Sequence, residues 1–370
     1  MIRRPPRSTP SNSSAASDVY KRQAKIFILT FLAFAGAFVW APGLVRILYK
    51  WKMWKKKPRE YTPDGRRLET FKKIEKDDKI KTPRGGGLLI WVTILVLALL
   101  IDILNKIFDG LFTHLNFLFR SETWLPLFTL VSAGIIGFLD DILTTKGMGK
   151  YLGGGMSLLK RIIIVFIIGI IGAWWFHFKL GWDTIHVPFF GDFFINGWYL
   201  PLFVVTMVAV FSSGIIDGID GLSGGVFAPL FLMFGVIAFL RGQINLAAFC
   251  AMIAGTIAVF LWFNAPPAKF YLGETGILAL TTTLTVVAFL TNTVLLLPIA
   301  GILLVITTGS DIIQLTYRKF TNKKVFLAAP IHHHWQLKGV RDETVVMRYW
   351  IVAGIAAMVA LMVYLLDKGI

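Results

Sequence analysis

The sequence predicts an all-α polytopic membrane protein of about ten transmembrane helices. Three observations carry that expectation. Hydrophobic residues make up 56% of the 370-residue chain and charged residues only 16%, whereas soluble domains carry about 25% charged residues. The apolar residues fall in runs long enough to cross hydrocarbon, which takes about 20 residues of helix. The basic residues gather in alternate connections between those runs, the bias that places basic loops in the cytoplasm. Helix is the default because it satisfies every backbone N–H and C=O within its own segment.

Residues 1–23 are polar and rich in Ser and Pro, without the apolar stretch of a signal peptide. They are expected as a disordered or foreign tail, and 24–370 as a single transmembrane domain. The candidate spans are 25–49, 86–106, 122–139, 159–178, 197–216, 225–240, 245–263, 275–290, 292–315 and 346–367. Only Thr291 and Asn292 mark a turn between the eighth and ninth. The connection 50–84 is the most basic, with Lys50, Lys79, Lys81 and Arg84 among its charges. Lys146, Lys160, Arg161, Lys269, Arg318 and Lys338 fall on the same side; the opposite connections hold little beyond Lys106, Arg120, Lys179 and Arg241. The first connection is therefore expected in the cytoplasm, with both termini extracytoplasmic. The net charge is +17, which in a soluble protein points to nucleic acid. Here the basic residues flank apolar runs, so membrane lipid headgroups and phosphorylated substrates are the expected partners, not nucleic acid. The single cysteine, Cys250, lies in an apolar run, which excludes an intrachain disulfide and a cysteine metal site.

The unusual polar residues all fall in connections on the cytoplasmic side, which points to an active site in a cleft there. GFLDDILTTK ends the third span with Asp140 and Asp141. Paired acids repel, a charge at bilayer depth costs about 2.5–3.5 kcal/mol, and a helix C-terminus is the wrong end for them. A solvated helix end is the bland alternative; otherwise Mg2+ or a nearby lysine should compensate. SSGIIDGIDGLSGG leaves the fifth span, and a helical turn would place Asp217 and Asp220 on one face. A Gly-rich turn is the alternative, weakened by two acids in an apolar stretch. FNAPPAKFYLGETGIL joins the seventh and eighth spans: Pro266 and Pro267 break the helix, Lys269 can face phosphate, and Glu274 either acts or caps the next helix. The run His332, His333, His334 is too closely spaced for one zinc ion and suits hydrogen bonds to phosphate or proton exchange. Thr82-Pro83-Arg84-Gly85-Gly86-Gly87 reads either as an anion site at a helix N-terminus or, on spacing alone, as a basic flank with a hinge. Hard carboxylates with basic residues suit Mg2+ and phosphoryl transfer.

At these residues the chain resembles the phospho-N-acetylmuramoyl-pentapeptide transferases (MraY), within the polyprenyl-phosphate N-acetylhexosamine-1-phosphate transferase superfamily. The likeness covers roughly residues 25–368 and is strongest in KVFLAAPIHHHWQLKGVRDETVVMRYWIV. The resemblance implies transfer of phospho-MurNAc-pentapeptide from UDP-MurNAc-pentapeptide to undecaprenyl phosphate, giving lipid I and UMP in peptidoglycan synthesis, in the bacterial inner membrane. It also leaves a homodimer open. By motif, Asp140 and Asp141 match the paired aspartates, one of which deprotonates the lipid phosphate; Asp217 and Asp220 match the DGLDG acids near nucleotide and metal. His332, His333 and His334 match the histidine signature, Asn264 the asparagine of NxxPAK, and Lys79 a basic residue before the TP motif. The catalytic set is thus Asp140, Asp141, Asp217, His332 and His333. Lys79, Arg84, Arg161, Asp220, Asn264, Lys269 and His334 are expected to bind substrate, and Glu274 with Asp217 or Asp220 to hold Mg2+. The chain departs from the family in four places. LGETG carries Glu274 where MGDTG has Asp, Arg84 replaces a Thr of TPTMGG, Gly214 stands for the Asn of NLTDG, and Arg161 replaces a Lys. Competing expectations are a UDP-GlcNAc transferase of the same superfamily, a lipid or solute transporter, and a catalytically dead scaffold.

Overall fold

Apolar runs longer than a bilayer is thick leave the chain one solution, helices that cross it and return. The computed structural model describes residues 12–54, 81–108, 110–118, 122–148 and 155–369 and is 77% helical. Its helices are α1 Asn12–Lys50, α2 Leu88–Ile107, the short α3 Leu111–Leu115, α4 Trp124–Lys146, α5 Leu158–Trp174, α6 Tyr199–Ser212, α7 Leu222–Leu240, α8 Ile244–Asn264, α9 Gly273–Leu290, α10 Leu297–Ala300, α11 Ile302–Thr321, α12 Ile331–Leu337 and α13 Asp342–Lys368. Among the described residues, nine helices are long and apolar enough to cross a membrane. A bent pair, Val294–Ala300 and Ile302–Thr321, meets at 76° and brings the number to ten when counted as one span. The expected ninth span is therefore bent, with Pro298 in its first short turn and Gly301 at the break. The weak turn before it is real, since Asn292 takes a left-handed backbone (φ 48), which Asn tolerates better than most residues.

Two further differences stand out. The tail expected over 1–23 is helical from Asn12 onward, because the peptide groups there continue the ladder of α1; residues 1–11 lie outside the described residues. An antiparallel hairpin, β1 Thr184–Val187 and β2 Gly191–Phe194, lies between α5 and α6, with Thr184 opposite Phe194. Its β-branched and aromatic residues around a Gly turn were the signal for strands.

α9 is the axis of the bundle, its side chains almost wholly buried. Thr281 and Thr282 satisfy their hydroxyls on their own helix, Thr281 Oγ1 donating to Ile277 O and Thr282 Oγ1 to Leu278 O at 2.6 Å. α4 packs along α9, and close approach of the backbones needs glycine at the contacts. A Cβ at Gly137 would stand 2.2 Å from Glu274 O, and one at Gly87, just before α2, 2.2 Å from Gly276 N. Small residues at such crossings let helices meet in the absence of a hydrophobic drive between them. The alternation of the chain brings the C-terminal ends of α4, α6, α8 and α11 to the same end as the N-terminal ends of α2, α5, α7, α9 and α13. The hairpin marks the other end, where His186 N–H donates to Asn292 Oδ1 and the His186 ring contacts Asp367.

Candidate active site

Asp140 and Asp141 are 0% exposed in the last turns of α4, so both need compensation. Asp141 accepts from the backbone N–H groups of Glu274 (3.2 Å) and Thr275 (2.9 Å) and from Thr275 Oγ1 (2.6 Å). It thereby caps α9, whose positive dipole end favours a carboxylate. Asp140 accepts from Met156 N–H at 2.5 Å and lies 2.8 Å from Arg161 Nη2. The other terminal nitrogen of Arg161 donates to Glu274 Oε1, so one guanidinium joins acids from α4 and α9. Arginine and the amide groups of α9 supply the positive partners, where the sequence led to the expectation of Mg2+ or a nearby lysine. Arg84 stands 3.7 Å from Asp141 Oδ1 with its side chain 21% exposed. Burial opposes its charge, but Asp141, Glu274, Asp217 and Asp140 around it raise its pKa.

Asp217 and Asp220 are not on one helical face. A 3-10 turn ends at Ile216, and α7 starts only after Gly221, at φ 80; the glycines of this segment favour a turn. Asp217 accepts from Ser223 Oγ (2.8 Å) and Gly273 N–H (3.1 Å), and burial raises its pKa against those bonds and Arg84. Asp220 Oδ2 accepts from Ala268 N–H at 3.3 Å. Asn264 is 1% exposed, accepts from Gly221 N–H and donates to Phe270 O. Its amide is spent on the backbone, so it ties together the two loops that carry Asp220 and Lys269. The departure at Gly214 also has a physical reason: a Cβ there would stand 2.2 Å from Ile277 Cγ2. Lys269 is exposed at the rim. Gly86 and Gly87 donate to Tyr271 O and Leu272 O, which makes their segment a docked joint and leaves those two N–H groups engaged. Lys79 lies outside the described residues.

α12 carries the histidines. His332 is 0% exposed, and among the described residues neither ring nitrogen has a hydrogen-bond partner. Burial and then His333 hold its pKa well below the ordinary value. His333 is 6% exposed and its Nδ1 lies 2.6 Å from Gln336 Oε1. A Cβ at Gly218 would stand 2.7 Å from His332 Nε2 and 3.1 Å from His333 Nε2, so both rings point at the Asp217–Asp220 turn. His334 turns elsewhere: its Nδ1 accepts from Leu327 N–H, beside the Phe326 and Trp335 rings. The residues that sequence reasoning missed are the second partners: Ser223, Thr275, Gln314, Gln336 and Asp342. Gln314 is the clamp of the loop before α12, accepting from Val325 and Phe326 N–H and donating to Phe326 O. Only Gln336 gave a sequence signal, three residues after His333 on a helix.

Among the described residues no three His, Cys, Asp or Glu are placed to hold a metal unaided. Mg2+ takes one or two carboxylates and completes its shell with water and phosphate oxygens. Asp217 and Asp220 fit that, since a carboxylate oxygen that accepts one hydrogen bond keeps a second lone pair. Glu274 fits less freely because Arg161 takes Oε1.

The chain matches the family model for glycosyl transferase family 4 over residues 123–292. It is 37% identical to the phospho-N-acetylmuramoyl-pentapeptide-transferase of Bartonella quintana over 302 residues, 76% of this chain and 80% of that protein. The proteins of the same name from Chloroflexus aurantiacus and Levilactobacillus brevis are 32% and 33% identical, over 80% and 76% of this chain and 82% and 84% of their own lengths.

Proposed function

The chain belongs to the family of phospho-N-acetylmuramoyl-pentapeptide transferases, and from that premise we infer that it transfers phospho-MurNAc-pentapeptide from UDP to a polyprenyl phosphate in the membrane. The acceptor is undecaprenyl phosphate, the products are lipid I and UMP, and the charged end of the bundle is the active site, facing the cytoplasm. One observation carries the assignment of residues: acids, guanidiniums and imidazoles from separate helices converge on the N-terminus of α9 and the turn at Gly218.

The reaction needs a diphosphate held still and its charge neutralised as one P–O bond forms and another breaks. Arg84 serves that purpose, because its contact to Asp141 is long and leaves most of its five N–H donors for phosphate. Lys269 adds a positive charge at the rim. Asp217 and Asp220, with Glu274, would hold Mg2+, which when bound would neutralise phosphate oxygens. Asp140 and Asp141 organise rather than reach outward: one holds Arg161, the other fixes the first turn of α9. The lipid phosphate titrates near pH ~6, so it arrives largely ionised at neutral pH and attacks without a dedicated base. His332 and His333 present Nε2 edges to the substrate behind Gly218. Purified protein given undecaprenyl phosphate and UDP-MurNAc-pentapeptide should release UMP, and UDP-GlcNAc should neither replace nor outcompete that donor. Equal turnover of the two donors would contradict the assignment.

A further inference from the structure

His333 is held by two side chains that no sequence motif singled out. Its Nδ1 lies 2.6 Å from Gln336 Oε1, and Gln336 Nε2 donates to Asp342 Oδ1 at 2.6 Å. The three residues run from the first turn of α13 through α12 to the Gly218 turn. The direction of the donors along this chain follows from chemistry. An ionised carboxylate only accepts, so the amide must turn its NH2 to Asp342. Its oxygen then faces His333, and an amide oxygen only accepts, so Nδ1 must carry the hydrogen. In the neutral ring the other nitrogen, Nε2, then keeps its lone pair. That lone pair lies on the edge facing Gly218, which is exposed.

We propose that Asp342 and Gln336 are positioning residues that lock His333 in the Nδ1–H tautomer, so that Nε2 meets the bound substrate as an acceptor of a proton or hydrogen bond. The role of His333 rests on the function proposed above; the tautomer rests only on the relay. An i, i+3 pair on a short helix can serve packing alone, and the test has to separate the two.

Variants of the full chain in lipid nanodiscs do so. Asp342→Asn can accept or donate, so the amide of Gln336 is free to turn over and the ring loses its imposed tautomer. Gln336→Glu sets two carboxylates against each other. The double variant combines Gln336→Glu with Asp342→Asn. Its carboxylate at position 336 can only accept, so the new amide at position 342 must donate to it and His333 must donate from Nδ1, as in the native chain. We expect Gln336→Leu and Gln336→Glu to lower kcat of UMP release at least ~10-fold with little change in KM, and the double variant to recover most of that loss. The nitrogen chemical shifts of 15N-labelled His333, assigned by comparison with His333→Gln, should show a protonated Nδ1 and a bare Nε2 at neutral pH in the native chain and the double variant. A protonated Nε2, or a double variant no more active than Gln336→Glu alone, overturns the relay. Full turnover by His333→Ala overturns the part assigned to His333 in catalysis, whatever the tautomer proves to be.

Discussion

Arg161 reaches Asp140 and Glu274 at once: Nη2 lies 2.8 Å from the Asp140 carboxylate, and Nη1 donates to Glu274 Oε1. The pairing joins the start of α5 to α4 and α9, and it explains why a longer acid can stand at position 274. Removing one member of a buried pair leaves the other charge uncompensated, at about 3–5 kcal/mol. Arg161→Ala should therefore lower the thermal midpoint in detergent and abolish UMP release. Arg161→Lys, a point charge without the fork, should fall between. Unchanged stability in Arg161→Ala would show that the guanidinium is not what holds these acids.

The cap of α9 can be tested one donor at a time. Thr275→Val removes the hydroxyl that Asp141 accepts at 2.6 Å but keeps the backbone bonds, and should cost about 1–2 kcal/mol of stability. Asp141→Ala removes all of them and should cost more, with loss of turnover, since Glu274 and Thr275 lose their anchor. Chemical unfolding of the purified variants measures both.

Stability should depend on pH through His332. Its folded pKa lies well below the ordinary value, by burial first and His333 second. The unfolded chain takes up a proton near pH ~6.5 that the folded chain refuses until lower pH, so stability rises with pH across that window and is lost as pH falls. Thermal midpoints between pH 5 and 7.5, on the order of the window set by that shift, should decline toward acid in the native chain. They should decline less steeply in His332→Phe.

Backbone contact between α4 and α9 leaves no room at Gly137, where a Cβ would sit 2.2 Å from Glu274 O. Gly137→Ala should push the first turn of α9 away, at about 1–3 kcal/mol, and reduce turnover by moving Glu274 and Asp141 together. Native stability and turnover in that variant would contradict the packing described.

Much of the fold was legible in the sequence because hydrocarbon imposes one rule on every segment. Runs of apolar residues became helices, most with ends within a few residues of those expected, although α1 begins as early as Asn12 and α4 runs on to Lys146. The hairpin Thr184–Phe194 escaped because it lies between spans, where water relaxes that rule, and its short strands were masked by the expectation of loops. The bend at Gly301 escaped because hydropathy does not register direction. At the site, Asp140, Asp141, Asp217 and His332 stood out because charge and imidazole are rare in such stretches. How they are partnered was not legible. That Asp141 caps α9, that Arg161 bridges two helices and that Asp342 reaches His333 through Gln336 depend on contacts far apart in sequence. The one local inference about the acids, a shared helical face for Asp217 and Asp220, failed because glycine turned the segment out of helix.

The central claim is that this end of the bundle moves a phospho-sugar, so the bond that breaks lies between the two phosphorus atoms of the donor. UDP-MurNAc-pentapeptide labelled with 32P at the sugar-bearing phosphorus decides this, given to the purified protein with undecaprenyl phosphate and Mg2+. The label should pass into the organic phase as lipid-linked diphosphate while unlabelled UMP stays in water, and chelation of the metal should stop the transfer. Label that remains in water as UDP, with sugar alone on the lipid, would contradict the account.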